Sequence, residues 1–202
     1  MGAEMGTRAR LRSEEVLGAA IRIANETGLD KLTLGKVAAE VGVKTPSLYE
    51  HFQGLPGLRL AIRLRGFQTL GDIIGKATVG KSRDDAVRTL ALEMRRFVHQ
   101  QPALYESTVL TAVGDSKEVR KAADGVLATL YSVLAGYGIT GTESVHAARY
   151  LRSLLHGFNS LELAGGFGLN VHLSESYDRL TDILAQDLRQ WSAVRTEPLP
   201  KS

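Results

Sequence analysis

The sequence predicts an all-α fold. Apolar residues recur at the 3.6-residue spacing of helices through most of the 202 residues, and no stretch alternates as a half-buried strand would. Serine, threonine and glycine stand where helix caps belong, at the ends of these periodic segments.

Taken in order, Ser13 is placed to cap a first helix whose apolar Val16, Leu17, Ala20, Ile23 and Ala24 share one stripe, and Gly28 ends it. Thr33 caps a second, short helix, "LGKVAAEV", that stops at Gly42. Thr45 is placed to cap a third, with Pro46 at its first position, where a missing N–H costs nothing. After "QGLPGL" a fourth helix runs to about Val79, and after "GKSRDD" a fifth runs to Gln101. Pro102 precedes a short sixth segment, "ALYESTVLTAV", and a seventh helix follows "GDSKE" to about Tyr137. The eighth spans roughly Thr142 to Ala164, and Ser174 is placed to cap a ninth that ends near Trp191. These nine segments divide as 8–54, 55–192 and a loose tail, 193–202.

Composition narrows the chemistry. A 44% hydrophobic content fills a real core, and the chain has no cysteine, hence no disulfide framework, thiolate metal site or cysteine nucleophile. The first ten residues lack an apolar leader segment and no run of about 18 apolar residues occurs, so a cytoplasmic protein is expected. Residues 1–65 hold ten Lys and Arg against seven Asp and Glu, which equals the whole net charge of +3. A polyanion partner is therefore to be sought at this end.

The second and third segments, joined by a glycine turn, form the helix-turn-helix pattern. Leu34, Val37, Ala38 and Val41 make one apolar face, and Val43, Leu48 and Phe52 close it. At about 100° per residue, Leu48 and Phe52 fix the inward direction of the third helix and sort its other side chains. Pro46, Ser47 and Glu50 point outward and, with Lys44 and Thr45 at the helix entry, are assigned to base edges in a major groove. Tyr49 and His51 fall about 80° to either side and are assigned to the phosphates on the two groove walls. Glu50 is an acid facing a polyanion: it either accepts from a cytosine amino group or points to solvent.

The stretch "LTLGKVAAEVGVKTPSLYEHF" resembles the helix-turn-helix of the TetR/AcrR family of transcriptional regulators over its full length, down to the Gly-Val turn and the "LY-x-HF" ending. "RSLLHGFNSLELAGGFGL" resembles the C-terminal domain of a subgroup named for a Trp-His-Gly motif, with Leu155 in place of the tryptophan and His156 and Gly157 retained. The resemblance implies a homodimer that binds operator DNA through its first three helices and a small apolar ligand through its larger domain, with no cofactor or metal. It implies a phosphate contact for Thr33 besides its cap. It also exposes a departure: lysines common after the third helix are replaced in "QGLPG" by Gln53 and Leu55, and Arg8, Arg10 and Arg12 of "TRARLR" are candidates to make up the lost phosphate contacts.

In the larger domain, Phe97, Tyr105, Tyr131, Tyr150, Leu154, His156 and Phe158 are candidates to line a ligand pocket, each against the plainer reading of a core residue. The eighth helix is apolar almost all round and the ninth carries a single stripe, which predicts a four-helix bundle across a two-fold axis. Leu151, Leu155, Leu161, Tyr177, Leu180, Leu184, Leu188 and Trp191 are assigned to that seam. "ESVH" has the Glu-x-x-His spacing of di-iron bundles, but no second copy exists, and no nucleophile, base and acid set has an active-site context. The competing reading is a helical-bundle enzyme or small-molecule carrier whose helix-turn-helix is incidental.

Overall fold

The computed structural model describes residues 2–109, 116–169 and 171–191, and of residues 2–12 the backbone alone. The expected tail, 193–202, lies outside the described residues. Among these residues every regular element is a helix: α1 Gly2–Thr27, α2 Leu34–Glu40, α3 Thr45–Leu48, α4 Gly54–Thr78, α5 Arg83–Gln100, α6 Pro102–Val109, α7 Lys117–Ala135, α8 Gly141–Leu163 and α9 Leu173–Gln190. None is long and apolar enough to cross a membrane.

Three expected caps move. Ser13 lies in the middle of α1, because that helix begins at Gly2 and takes in the backbone of Arg8, Arg10 and Arg12. The α3 cap is Lys44, whose extended backbone (φ −80°, ψ 143°) offers its carbonyl to Ser47 N at 3.0 Å; Thr45 is already the first helical residue and Pro46 the second. The α9 cap is His172, which puts Ser174 inside the first turn. Thr33 and Gly28 keep their roles. Thr33 Oγ1 accepts from Lys36 N at 3.3 Å, and Gly28 sits at φ +93° with its N–H on Ala24 O at 2.8 Å.

The chain forms two compact units, one of residues 1–69 with 100–123, the other of residues 70–99 with 124–202. The division departs from the expected boundary at residue 54 and runs through α4 and α7. In the first unit, α1 buries Val16, Leu17, Ala19, Ala20 and Ala24, and α4 adds fully enclosed Leu58 and Ile62. The sixth helix belongs to this unit for a local reason. Asn25 on α1 accepts from Ala103 N at 3.0 Å, capping α6 from outside, and its amide N–H donates to Gln101 Oε1 at 2.9 Å. On α4, Gly66 has no Cβ to keep α6 away: one built there would stand 2.6 Å from Leu104 O.

In the second unit, α5 contributes buried Ala86, Val87, Leu90 and Ala91, α8 contributes Ala147, Ala148, Leu151 and Leu155, and α9 contributes Tyr177, Leu184, Ala185 and Leu188. Tyr177 crosses to α5, where its hydroxyl donates to Ala91 O at 2.7 Å. After α8, Gly165 adopts φ +67° and Gly166 N reaches back to Leu161 O at 2.7 Å. This turn brings Phe167 onto Phe158, ring centroids 4.8 Å apart.

Gly66→Ala should therefore destabilise the protein by about 1–3 kcal/mol, since a backbone carbonyl must yield to the new methyl. Gly35→Ala, with open space around it in α2, should be neutral or stabilising by up to about 1 kcal/mol. Chemical denaturation of the two variants checks the pair.

Candidate nucleic-acid interface

The helix-turn-helix is built from one turn and one anchor. The α2 backbone closes with Gly42 at φ +70°, Gly42 N on Ala39 O at 3.3 Å and Val43 N on Ala38 O at 2.9 Å, a geometry that a side chain at position 42 would strain. Val37 and Ala38 face inward at 0% and 2% exposure, and the small alanine lets α3 pack close. The third helix is one turn long. Its one fully buried side chain is Leu48, and beyond it the chain tightens into turns in which His51 N and Phe52 N both donate to Leu48 O, at 3.1 and 2.9 Å. Gly54, buried and at φ +69°, then opens α4, so "QGLPG" is largely the first turn of that helix.

This places the sequence-assigned residues as follows. Lys44, Pro46, Tyr49 and Glu50 are exposed, Thr45 and Ser47 are half-buried, and all six belong to α3 and the turns that flank it. Tyr49 is 62% exposed, more than its expected flank position implied; it follows the last helical residue in a tightened turn, its N–H on Pro46 O at 3.1 Å. Thr33 is exposed at the α2 entry. His51 is different: it is half-buried, and its Nδ1 lies 3.1 Å from Ser13 Oγ on α1. The side chains of Arg8, Arg10 and Arg12 lie outside the described residues.

Ion pairing redistributes the positive charge of the head. Arg22 pairs with Glu40 at 3.4 Å and Arg65 with Glu14 at 2.5 Å, which takes both guanidinium groups into neutral pairs. Lys36, by contrast, donates from Nζ to the Lys31 carbonyl at 2.9 Å, which holds an ammonium in the same turn as the Thr33 hydroxyl. Lys36 is not among the residues assigned from the sequence. Its signal was the spacing of three residues from a cap that already faced outward.

The second unit engages several residues assigned to a pocket or a seam in its own packing. Tyr105, on α6, belongs to the first unit, unlike the other six pocket candidates. Tyr150 donates to Asp187 and lies against Trp191 at 5.5 Å; burial, with that carboxylate, pushes its hydroxyl up to about 12. Phe158 is held between Phe167 and Tyr177, and Phe97 is 1% exposed. Leu154 and Tyr131 are half-buried. His156 stands 3.3 Å from Ser160 Oγ, and burial, then the charge of Arg152, lowers its basicity. The seam needs correction too. Leu151, Leu155, Tyr177, Leu184 and Leu188 are at most 2% exposed within a single chain, because these helices turn them onto their own core. Leu180 is half-buried, and Trp191 donates to Glu143 Oε2 at 3.1 Å. Of the assigned set Leu161 stays open, at 52%, and the unassigned Ile183 joins it at 55%.

A polar cluster fastens α5 to α8. Arg95 donates to both oxygens of Glu162, at 2.8 and 2.5 Å, His99 Nε2 approaches the same carboxylate at 3.0 Å, and the guanidinium lies 4.7 Å from the Tyr177 ring centre. The Arg95 hydrogen bonds hold the Glu162 carboxyl below its ordinary range. A carboxylate depressed by folding stabilises the native state above its unfolded pKa of about 4.3, and that contribution fades as pH falls through the folded value. Glu162→Gln should cost about 2 kcal/mol at pH 7, and the gap to the native sequence should close as the pH is lowered below about 4. Urea unfolding across that range measures it.

Residues 16–62 match a family described as bacterial regulatory proteins, tetR family, and residues 87–184 match one described as tetracyclin repressor-like, C-terminal domain. The second description supports the family and leaves the Trp-His-Gly subgroup unassigned. The chain is 35% identical over 158 residues to an uncharacterized HTH-type transcriptional regulator of Mycobacterium tuberculosis, covering 78% of this chain and 72% of that one. It is 30% identical over 172 residues to another of Bacillus subtilis, covering 85% and 90%. In fold it is similar to a protein of unknown function from Rhodococcus sp. RHA1, with a TM-score of 0.76 at 20% identity over 88% of this chain and 95% of the other.

Proposed function

The chain belongs to the TetR family of bacterial regulatory proteins, and on that premise we propose that it binds a palindromic operator as a homodimer and leaves it when a small apolar ligand binds the larger domain. The observation that carries the DNA-binding reading is the outward set itself. Lys44, Pro46, Tyr49 and Glu50 are exposed on an element whose direction is fixed by buried Leu48. Lys44 suits guanine O6 and N7, Ser47 reaches either kind of base, and Glu50 suits a cytosine amino group. Thr33, Tyr49 and Lys36 contact phosphates, and Arg8 and Arg10 add to them from the first turns of α1. A carrier or enzyme has no use for this division of side chains.

The homodimer uses the outer faces of α8 and α9. Leu161 and Ile183 are exposed apolar residues on them, and Ser153, Gly157, Ser160 and Ala164 leave α8 a flank of small side chains along which a second copy approaches closely. Two-fold symmetry then sets the recognition elements about 34–36 Å apart, one turn of DNA. Release by a ligand needs a coupling of about 1–3 kcal/mol between the two domains, a change of about 5- to 150-fold in operator affinity.

Selection from a random duplex library should enrich an inverted repeat. Lys44→Ala should then relax preference at one symmetric pair of positions and cost about 1–3 kcal/mol, whereas Thr33→Val should weaken all sequences alike. Enrichment of no duplex would refute the reading. Leu161→Arg with Ile183→Arg should convert the dimer to a folded monomer in light scattering and abolish binding to the repeat; a surviving dimer would move the interface elsewhere.

A further inference from the structure

We propose that Ser13, on α1, is a positioning residue for DNA recognition, acting through His51 as a strut that fixes the turn carrying Tyr49 and Glu50. The inference rests on the DNA-binding reading and adds a residue outside the helix-turn-helix. The recognition element is one turn of α-helix with one fully buried side chain, Leu48. Everything beyond it, up to Gly54, is held by short-range turns, and Phe52 is only half-buried. Leu48 sets the direction of the helical turn, but the residues after it, from Tyr49 to Gln53, include no fully buried side chain of their own to hold them. A second point of attachment is needed, and His51 provides it: its Nδ1 meets Ser13 Oγ at 3.1 Å, part-buried, across 38 residues of sequence.

The partner is rigid, because Ser13 lies mid-way along α1, the longest helix in the head, with α1 core residues Val16 and Leu17 close behind it. With Nδ1 occupied, His51 is fixed in rotamer as well as in place, in the way that an outer hydrogen bond orients a functional imidazole. Tyr49 and Glu50 precede it directly, so their direction follows. His51 therefore acts on recognition from behind, and the chemistry that matters is at Nδ1.

Asparagine places an amide atom near the Nδ1 position and glutamine near the Nε2 position, which separates a strut from a phosphate contact. On a duplex selected with the native protein, Ser13→Ala and His51→Gln should each weaken binding about 2- to 12-fold, the range of one hydrogen bond. Ser13→Thr and His51→Asn should retain most of the affinity. The double variant Ser13→Ala with His51→Ala should be no weaker than His51→Ala alone, and the slope of log affinity against log salt should stay unchanged throughout. In the free protein, Ser13→Ala should also speed hydrogen exchange at the amides of residues 49–52 while leaving α1 protected. Additive losses, rescue by glutamine in place of asparagine, or exchange at 49–52 unaltered by Ser13→Ala would each overturn the strut. Failure to select any duplex would instead strike the DNA-binding reading, with the exchange measurement still deciding whether the strut exists.

Discussion

The burial of Leu48 is the constraint on which the DNA-binding head depends. An isolated helix of four residues has no stability of its own in water, since nucleation costs more than one turn returns. The turn persists because tertiary packing holds it: Leu48 is 1% exposed, beside a face of α2 on which Val37 and Ala38 are equally enclosed. Once that side chain is seated, the helical period decides which neighbours face outward. The glycine turn at position 42 sets the angle between the two helices, and the αL backbone of Gly54 lets α4 begin immediately afterwards. Recognition chemistry is in this sense a by-product of a small apolar core.

A short recognition element also explains why the head recruits support from distant sequence. Asn25 caps α6 from α1, Gly66 admits α6 against α4, and Ser13 reaches His51. Each contact spans dozens of residues and each uses a small or polar side chain where a larger apolar one would fit no better. The consequence is a compact unit larger than the three helices that present DNA-facing groups. In the second unit the corresponding fastening is ionic and aromatic, with Arg95 shared between the Glu162 carboxylate and the ring of Tyr177.

The helix order, the Gly42 turn and the inward position of Leu48 were legible in the sequence because each rests on local periodicity or on a single residue type with a specific backbone preference. Cap positions shifted by one residue at Lys44 and by two at His172, where the extended backbone arises without a capping side chain. The seam residues failed for a different reason. An apolar stripe shows that a helix face is buried, and nothing in periodicity distinguishes burial on the chain's own core, where Leu151, Leu155 and Leu184 lie, from burial on a second copy. The contacts of Asn25 and Ser13 were not legible, since the partners of a polar side chain 38 to 78 residues away leave no local signal. Lys36 has a local signal, its spacing of three residues from the Thr33 cap.

The central claim is that one face of the segment from Thr33 to Glu50 meets DNA. Backbone amide chemical shifts, recorded by NMR as the protein is titrated with its selected duplex, test it most directly. Large perturbations at Thr33, Lys36 and Lys44 to Glu50, with the buried face at Val37, Ala38 and Leu48 less affected, are the predicted pattern. Saturable perturbations confined to the second compact unit, with the α2–α3 amides unmoved, would contradict it.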